Sequence, residues 1–141
     1  MKILNYIYQI TKNKAVASGI IAATVYCALT FPAHAEKISL KESAHQHIIK
    51  MKTGDNLEIT LEGNPTTGYI WEKTEGDNTI LSPQGDYKYV PAKPSVCSGG
   101  KFVFTFLGKA PGKTKLHVIY HRTFEKNVAP VKSFEVTVIV K

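Results

Sequence analysis

Phe102-Val103-Phe104-Thr105-Phe106 is the stretch of sequence that decides the fold. Its aromatic residues recur at every second position. Successive side chains of a β-strand point to opposite faces, so the three phenyl rings lie on one face and Val103 and Thr105 on the other. The same two-residue alternation, enriched in β-branched and aromatic residues, predicts further half-buried antiparallel strands. These strands are residues 47–51, 57–61, 69–72, 87–90, 116–120 and 134–140.

Glycine, proline, asparagine and aspartate separate these runs at intervals of about 8 to 12 residues. No stretch of residues 36–141 has the apolar period of a helix. Seven to eight short strands with turn residues between them predict an all-β fold built as a two-sheet antiparallel sandwich. A small barrel is the main alternative.

Residues 1–35 differ from the rest of the chain. Residues 1–14 contain three lysines and no acid, and residues 15–31 form an uncharged apolar run that leads to Ala33-His34-Ala35. A basic region, an apolar region and an A-x-A site are typical of a secretory signal peptide. A membrane anchor is the alternative, but the run is short for a span of about 20 residues. We therefore expect cleavage after Ala35, a domain at residues 36–141, no stable membrane association and a periplasmic or secreted protein.

The charge balance is basic but diffuse. The chain has 18 Lys and Arg against 11 Asp and Glu, a net charge of +7. Removal of residues 1–35 takes three lysines away, so 18 − 3 = 15 basic residues remain and the net charge becomes +4. Nucleic-acid binding requires a dense basic stripe, which this sequence lacks. We expect no nucleic-acid partner.

Several apparent site motifs are incomplete. Residues 108–114 resemble a phosphate loop, but one residue is missing between the glycines and a strand follows instead of a helix. His45 and His47 could share one strand face, and His117 and His121 another, but no cysteine or carboxylate pattern completes a zinc site. We therefore predict no metal, no cofactor and no enzymatic activity.

Cys97 is the one cysteine that remains in residues 36–141, so an internal disulfide is impossible. An unpaired cysteine in an exported protein is buried, free and reactive, or paired between chains. No local motif of a cysteine hydrolase surrounds it.

The loop at residues 63–69, Gly-Asn-Pro-Thr-Thr-Gly-Tyr, carries the strongest functional signal. Asn64 precedes a proline and is driven toward extended geometry, while Pro65 has a fixed φ. Gly68 can adopt a positive φ and turn the chain back. A stiff loop that presents two threonines suits a preorganised binding site, because little entropy is lost on docking.

Residues 64–69, followed by Trp71, resemble the signature loop of the chagasin-type inhibitors of papain-like cysteine proteases. The second motif of that family, Gly-x-Gly-Gly, is matched by residues 97–100, and the third, Arg-Pro-Trp, by residues 122–124. The order along the chain is the same. The resemblance implies the following protease-binding residues: Asn64, Pro65, Thr66, Thr67, Gly68, Tyr69, Cys97, Ser98, Gly99, Gly100, Arg122, Thr123 and Phe124.

The resemblance implies an immunoglobulin-like sandwich that is monomeric when free. Its partner would be a papain-like cysteine protease, whose cleft three loops at one end of the sandwich would occlude reversibly and without a covalent bond. Thr66 would lie closest to the catalytic cysteine and histidine. Gly99 and Gly100 would allow backbone to lie along the substrate channel, and Arg122 and Phe124 would cover the other side.

The sequence departs from the family pattern at three positions. Cys97 replaces a glycine, Thr123 replaces the proline and Phe124 replaces the tryptophan. A looser third loop and a smaller aromatic contact predict altered affinity or target preference rather than loss of inhibition. Two other classes are an exported immunoglobulin-like adhesion or binding module, for which Tyr87 and Tyr89 are the candidate platform, and a small exported enzyme.

Overall fold

The computed structural model describes residues 34–94 and 98–141, and Ala35–Lys141 forms one compact unit. The predicted signal segment up to Ala33 and the predicted contact residue Cys97 lie outside the described residues. The strands are β1 Lys37–Lys41, β2 Ile48–Met51, β3 Asn56–Gly63, β4 Tyr69–Glu75, β5 Leu81–Pro83, β6 Lys88–Pro91, β7 Gly100–Gly108, β8 Gly112–Arg122 and β9 Lys132–Val140, with 3-10 turns at Glu42–Ala44 and Pro65–Thr67.

The strands form two sheets. In the first sheet β1, β3, β7 and β5 lie side by side, and β6 also pairs with β7. In the second sheet the order is β2, β9, β8 and β4. The described residues contain no α-helix, and none of their helical segments is long and apolar enough to cross a membrane. The prediction of an all-β sandwich is confirmed.

The core lies between the two sheets and follows the predicted alternation. Along β7 the residues alternate between buried and more exposed positions, with Phe102 and Phe106 at 0% and 2% exposure. Strands β3, β8 and β9 alternate in the same way because each lies between two neighbours with one face on the core. The largest fully buried side chains are Trp71, Phe102, Phe106, Phe134, Leu57, Ile59, Leu61, Leu81, Leu116, Val118, Val136 and Val138.

Two strands and two pairings differ from the prediction. β1 and β5 were not predicted, because runs of five and three residues with one buried side chain each carry too little alternation. The sandwich is also not wholly antiparallel, since β1 runs parallel to β3 and β2 runs parallel to β9. Residues 37–51 contribute an edge strand to each sheet, and the 3-10 turn at Glu42–Ala44 separates the two. The glycine-rich stretch at 108–114 contains the turn that joins β7 to β8.

Candidate functional site

Strand register brings the three sequence motifs to one end of the sandwich. In the first sheet Gly63, which ends β3, lies opposite Gly100, which begins β7. In the second sheet Tyr69, which begins β4, lies opposite Arg122, which ends β8. The first motif joins these two points because it connects β3 to β4. We call residues 64–68 the first loop, residues 98–100 the second loop and residues 122–125 the third loop.

The first loop is held by its own hydrogen bonds. Asn64 caps the 3-10 turn, and its Oδ1 accepts from the backbone N of Thr66 at 3.1 Å and from Thr66 Oγ1 at 2.6 Å. Its backbone oxygen accepts from Thr67 Oγ1 at 2.6 Å, and the Pro65 oxygen accepts from Gly68 N at 3.0 Å. Gly68 closes the turn at φ 83°, in the left-handed region that favours glycine. Each polar residue of the predicted tip therefore serves to define its shape.

Two buried aromatic side chains fix the base of the first loop to the core. The Tyr120 hydroxyl accepts a hydrogen bond from Asn64 N at 2.8 Å, and the Trp71 indole donates to the Glu62 oxygen at 3.1 Å. The two rings also pack against each other, with centroids 5.1 Å apart. In the sequence, Tyr120 is only the last residue of the strand predicted at 116–120. The available signal was that a buried tyrosine needs a partner for its hydroxyl.

Arg122 connects the first loop to the third. Its Nε donates to the Thr67 oxygen at 3.3 Å, and its guanidinium carbon lies 4.4 Å from the centroid of the Tyr69 ring. Its Nη1 pairs with Glu125 Oε1 at 2.9 Å. That hydrogen bond raises the pKa of Arg122 above its ordinary value. No pattern in the sequence indicated Glu125, because a three-residue spacing predicts a pair only on a helix and here a turn brings the two side chains together.

Phe124 covers the turn of the first loop. A Cβ placed on Gly68 would lie 3.2 Å from Phe124 Cε1, so the absence of a side chain at Gly68 allows the ring to approach. Phe124 remains 68% exposed. The third loop is also closed by a hydrogen bond from Glu125 N to the Arg122 oxygen at 3.2 Å. Thr123 lies in this closed turn and is exposed, so the turn forms without the proline that the family pattern has there.

The two glycines of the second loop have different surroundings. A Cβ on Gly100 would lie 2.4 Å from the Val90 oxygen, so glycine is required there by the packing of β6 on β7. A Cβ on Gly99 would lie 3.4 Å from the Gly63 oxygen, which places this residue beside the first loop. Ser98 Oγ donates to the Lys93 oxygen at 2.8 Å. The described part of the second loop is thus adjacent to the first.

Several side chains that the other hypotheses required have structural partners. His45 Nδ1 accepts from Glu135 N at 3.0 Å, and His121 lies against Glu72. The described residues contain no group of three metal-binding side chains. Tyr87 and Tyr89 pack on Phe102 with centroid distances of 4.8 and 5.2 Å and are half-buried, which is cross-strand packing rather than an exposed platform.

Comparison with known proteins agrees with this geometry. Residues 50–138, which span all three motifs, match the family described as chagasin family peptidase inhibitor I42. Amoebiasin-1 from Entamoeba histolytica is 36% identical over 93 residues, which cover 64% of this chain and 87% of that protein. The crystal structure of EhICP2, a cysteine protease inhibitor from Entamoeba histolytica, superposes with a TM-score of 0.68 at 22% identity, covering 78% of this chain and all of the other. The solution structure of amebosin gives 0.63 at 32% identity, covering 77% and 100%.

The fold and the sequence match define an immunoglobulin-like β-sandwich of the peptidase-inhibitor class. The chain belongs to the chagasin family of cysteine protease inhibitors. The family and its members are inhibitors and not enzymes, so the prediction of a non-enzymatic protein is confirmed. The adhesion-module alternative receives no support from these relatives.

Proposed function

We propose that this protein inhibits papain-like cysteine proteases reversibly and without a covalent bond, by filling the active-site cleft with its three loops. The observation that carries the proposal is the set of contacts around Arg122, which links the Thr67 oxygen of the first loop to Glu125 of the third. Loops that are already joined lose little conformational entropy when they enter a cleft. Preorganised inhibitor interfaces of about 1,600 Å² can be very tight.

The first loop resists cleavage in part because the carbonyl groups of Asn64 and Pro65 are engaged inside the turn. The Asn64 oxygen accepts from the Thr67 hydroxyl, and the Pro65 oxygen accepts from Gly68 N at 3.0 Å. A protease hydrolyses a peptide bond only when the carbonyl oxygen can enter its oxyanion hole. A carbonyl that is held in a turn is poorly placed for this step. The loop therefore occupies the cleft as an uncleaved wedge.

Exposed groups of the loops supply the contact surface. Thr66 and Thr67 are exposed at the tip, and Phe124 is the most exposed of the large hydrophobic side chains in the described residues. Rigid aromatic side chains near the centre of an interface often dominate binding energy. Phe124 offers such an anchor beside the tip, and Gly99 brings backbone close to the same edge.

We place the inhibitor outside the cytoplasm. The support is the pattern of residues 1–35, which combines a basic start, an apolar run and the Ala33-His34-Ala35 site. Its target is then a cysteine protease that is met after export.

The experiment is inhibition of papain and of a cathepsin-L-like enzyme by the exported protein, followed as progress curves with reductant present. A serine protease serves as the control for specificity toward the cysteine class of proteases. We expect inhibition of the cysteine proteases alone, and we expect their activity to recover fully when the complex is diluted. Absence of inhibition by the folded protein at micromolar concentration, or equal inhibition of the serine protease, would contradict the proposal.

A further inference from the structure

Asp55 is a buried carboxylate at the end of the sandwich opposite the three loops. It lies in the turn between β2 and β3 and is 4% exposed. Each of its oxygens accepts one backbone hydrogen bond, Oδ2 from Lys52 N at 2.8 Å and Oδ1 from Glu36 N at 2.9 Å. Buried carboxylates are costly unless they are paired or well bonded, so the identity of the donors matters.

The Glu36 donor coincides with the cleavage point that the sequence predicts. The A-x-A pattern ends at Ala35, so cleavage there leaves Glu36 as the first residue. The compact unit spans Ala35–Lys141, so the bond between Ala35 and Glu36 lies at its start. Ala35 and Glu36 are both exposed. The Glu36 backbone oxygen accepts a hydrogen bond from Asn56 N at 2.8 Å, next to the first paired residues of β1 and β3.

We propose that the peptide bond between Ala35 and Glu36 is the processing site of the exported protein, and that the α-ammonium group released at Glu36 forms an ion pair with the buried carboxylate of Asp55. A signal peptidase hydrolyses the bond with one water molecule. The bond between the Ala35 carbonyl carbon and Glu36 N breaks, and a carbon–oxygen bond to the water oxygen forms. Ala35 leaves as a carboxylate, and the Glu36 nitrogen takes up protons to become an ammonium group.

The geometry suits a charged donor. The Glu36 nitrogen is already within hydrogen-bond distance of Oδ1, so processing changes its charge without moving the chain. Hydrogen bonds between charged groups are stronger than those from a neutral amide. The backbone hydrogen bonds from Glu36 and then Lys52 lower the pKa of Asp55, so the carboxylate is ionised when the ammonium group arrives.

The other charged groups at this end are the side chains of Lys50, Lys52 and Lys141 and the Glu36 carboxylate, which line one surface groove with Asp55. The charge of Lys52 also lowers the pKa of Asp55, but no lysine side chain forms an ion pair with this carboxylate in the described residues. Each Asp55 oxygen therefore keeps its contact to a backbone nitrogen, and that of Oδ1 is the Glu36 nitrogen. An α-amino group with an ordinary pKa of about 8 becomes more basic when it is paired. The stabilisation is therefore complete below about pH 8 and is lost as the pH rises through the raised pKa.

The first arm of the test uses the full chain, expressed in an exporting bacterial host and recovered outside the cytoplasm. Mass spectrometry of the amino-terminal peptide is expected to show Glu36 as the first residue. Recovery of protein that begins at another residue would overturn the assignment.

The second arm compares two purified forms of the compact domain, one beginning at Glu36 and one beginning at Ala35. The second form keeps an amide at Glu36 and is the matched control. At pH 7 the Glu36 form is expected to have an unfolding equilibrium constant about fivefold or more lower in urea titrations. The difference between the forms should disappear at pH 10.

Asp55→Asn provides a further check, since it removes the negative charge and should abolish the difference between the two forms at pH 7. If this variant does not fold, the ion pair is tested by the pH dependence of the stability difference between the forms that begin at Glu36 and at Ala35. Equal stability of the two forms at pH 7, or a difference that persists at pH 10, would overturn the ion pair.

Discussion

The hydroxyl of Tyr120 and the backbone of Asn64 are joined directly. The Asn64 amide donates to the hydroxyl at 2.8 Å, and the same hydroxyl lies 3.5 Å from the Asn64 oxygen. Tyr120 belongs to β8 of the second sheet, while Asn64 follows β3 of the first sheet. A core side chain therefore sets the position at which the first loop leaves the sandwich.

Removal of the Tyr120 hydroxyl should weaken inhibition more than stability. Tyr120 is 8% exposed, and Tyr120→Phe keeps its ring but leaves the backbone N–H of Asn64 without its hydrogen-bond acceptor. We expect a loss of about 1 kcal/mol in the free energy of unfolding. We also expect about a tenfold rise in the inhibition constant, because the loop must be ordered on binding. Urea unfolding and progress curves measure the two effects.

Tyr87→Phe is the matched control. The Tyr87 ring packs on Phe102, and its hydroxyl has no hydrogen bond within the described residues. This variant should inhibit like the parent protein. Equal inhibition constants for the parent and Tyr120→Phe would show that the hydroxyl does not position the loop.

Inhibition should depend on the side-chain oxygen of Asn64, Oδ1, which caps the turn, rather than on the side-chain nitrogen, Nδ2. Asn64→Ala removes the acceptor of the two Thr66 hydrogen bonds, at a cost of about 1 kcal/mol to the turn. Asn64→Asp keeps an acceptor at the same place. Inhibition should fall for the alanine variant and stay within a few-fold for the aspartate variant. The same loss for both variants would indicate that the amide nitrogen contacts the protease.

Alanine substitutions at the two glycines of the second loop should have different effects, one on stability and the other on inhibition. Gly100→Ala puts a Cβ 2.4 Å from the Val90 oxygen, and overpacking of this kind typically costs about 1–3 kcal/mol. Gly99→Ala finds its nearest neighbour at 3.4 Å and should fold like the parent. Gly99→Ala should therefore lose inhibition without a change in its thermal midpoint, because Gly99 is one of the residues proposed to contact the protease. A destabilised Gly99→Ala or an undisturbed Gly100→Ala would contradict the packing described above.

Acid should destabilise the domain partly through Asp77. Thr79 donates its hydroxyl and its amide to Asp77 Oδ1 at 2.6 and 2.8 Å, and these bonds lower the pKa of the carboxyl. A group with a lowered folded-state pKa stabilises above its unfolded pKa and loses that contribution as the pH falls through the folded value. Unfolding free energy should therefore fall between about pH 5 and pH 2.

Asp77→Asn keeps an acceptor for Thr79 but does not titrate, so its pH profile should be flatter than that of the parent. Asp86→Asn, at an exposed position on the same domain, is the control for removing one carboxyl elsewhere. Parallel profiles for the parent protein and Asp77→Asn would refute this contribution.

The sheets were predictable from sequence where a strand is long and has one face on the core. The alternation at Phe102, Phe104 and Phe106 specifies both the strand and its buried face. β1 and β5 were not predictable, because five and three residues carry little periodicity and both strands lie at sheet edges. Their pairing depends on long-range contacts that a local pattern does not encode.

The first loop was predictable in outline, since Pro65 and Gly68 restrict the backbone by their own chemistry. The hydrogen bond between Tyr120 and Asn64 joins residues 56 positions apart and becomes visible only when both sheets are assembled. The requirement for glycine at Gly100 likewise arises from Tyr89 and Val90 on the neighbouring strand.

The most direct test of the central claim is the inhibition constant of Thr66→Arg against papain, measured beside Thr53→Arg. Both threonines are exposed, but Thr53 lies in the turn before β3, about 25 Å from the loops along an eight-residue strand. A long charged side chain at the tip should prevent entry into the cleft and raise the inhibition constant at least a hundredfold, while Thr53→Arg inhibits like the parent. Unchanged inhibition by a folded Thr66→Arg would contradict the three-loop account.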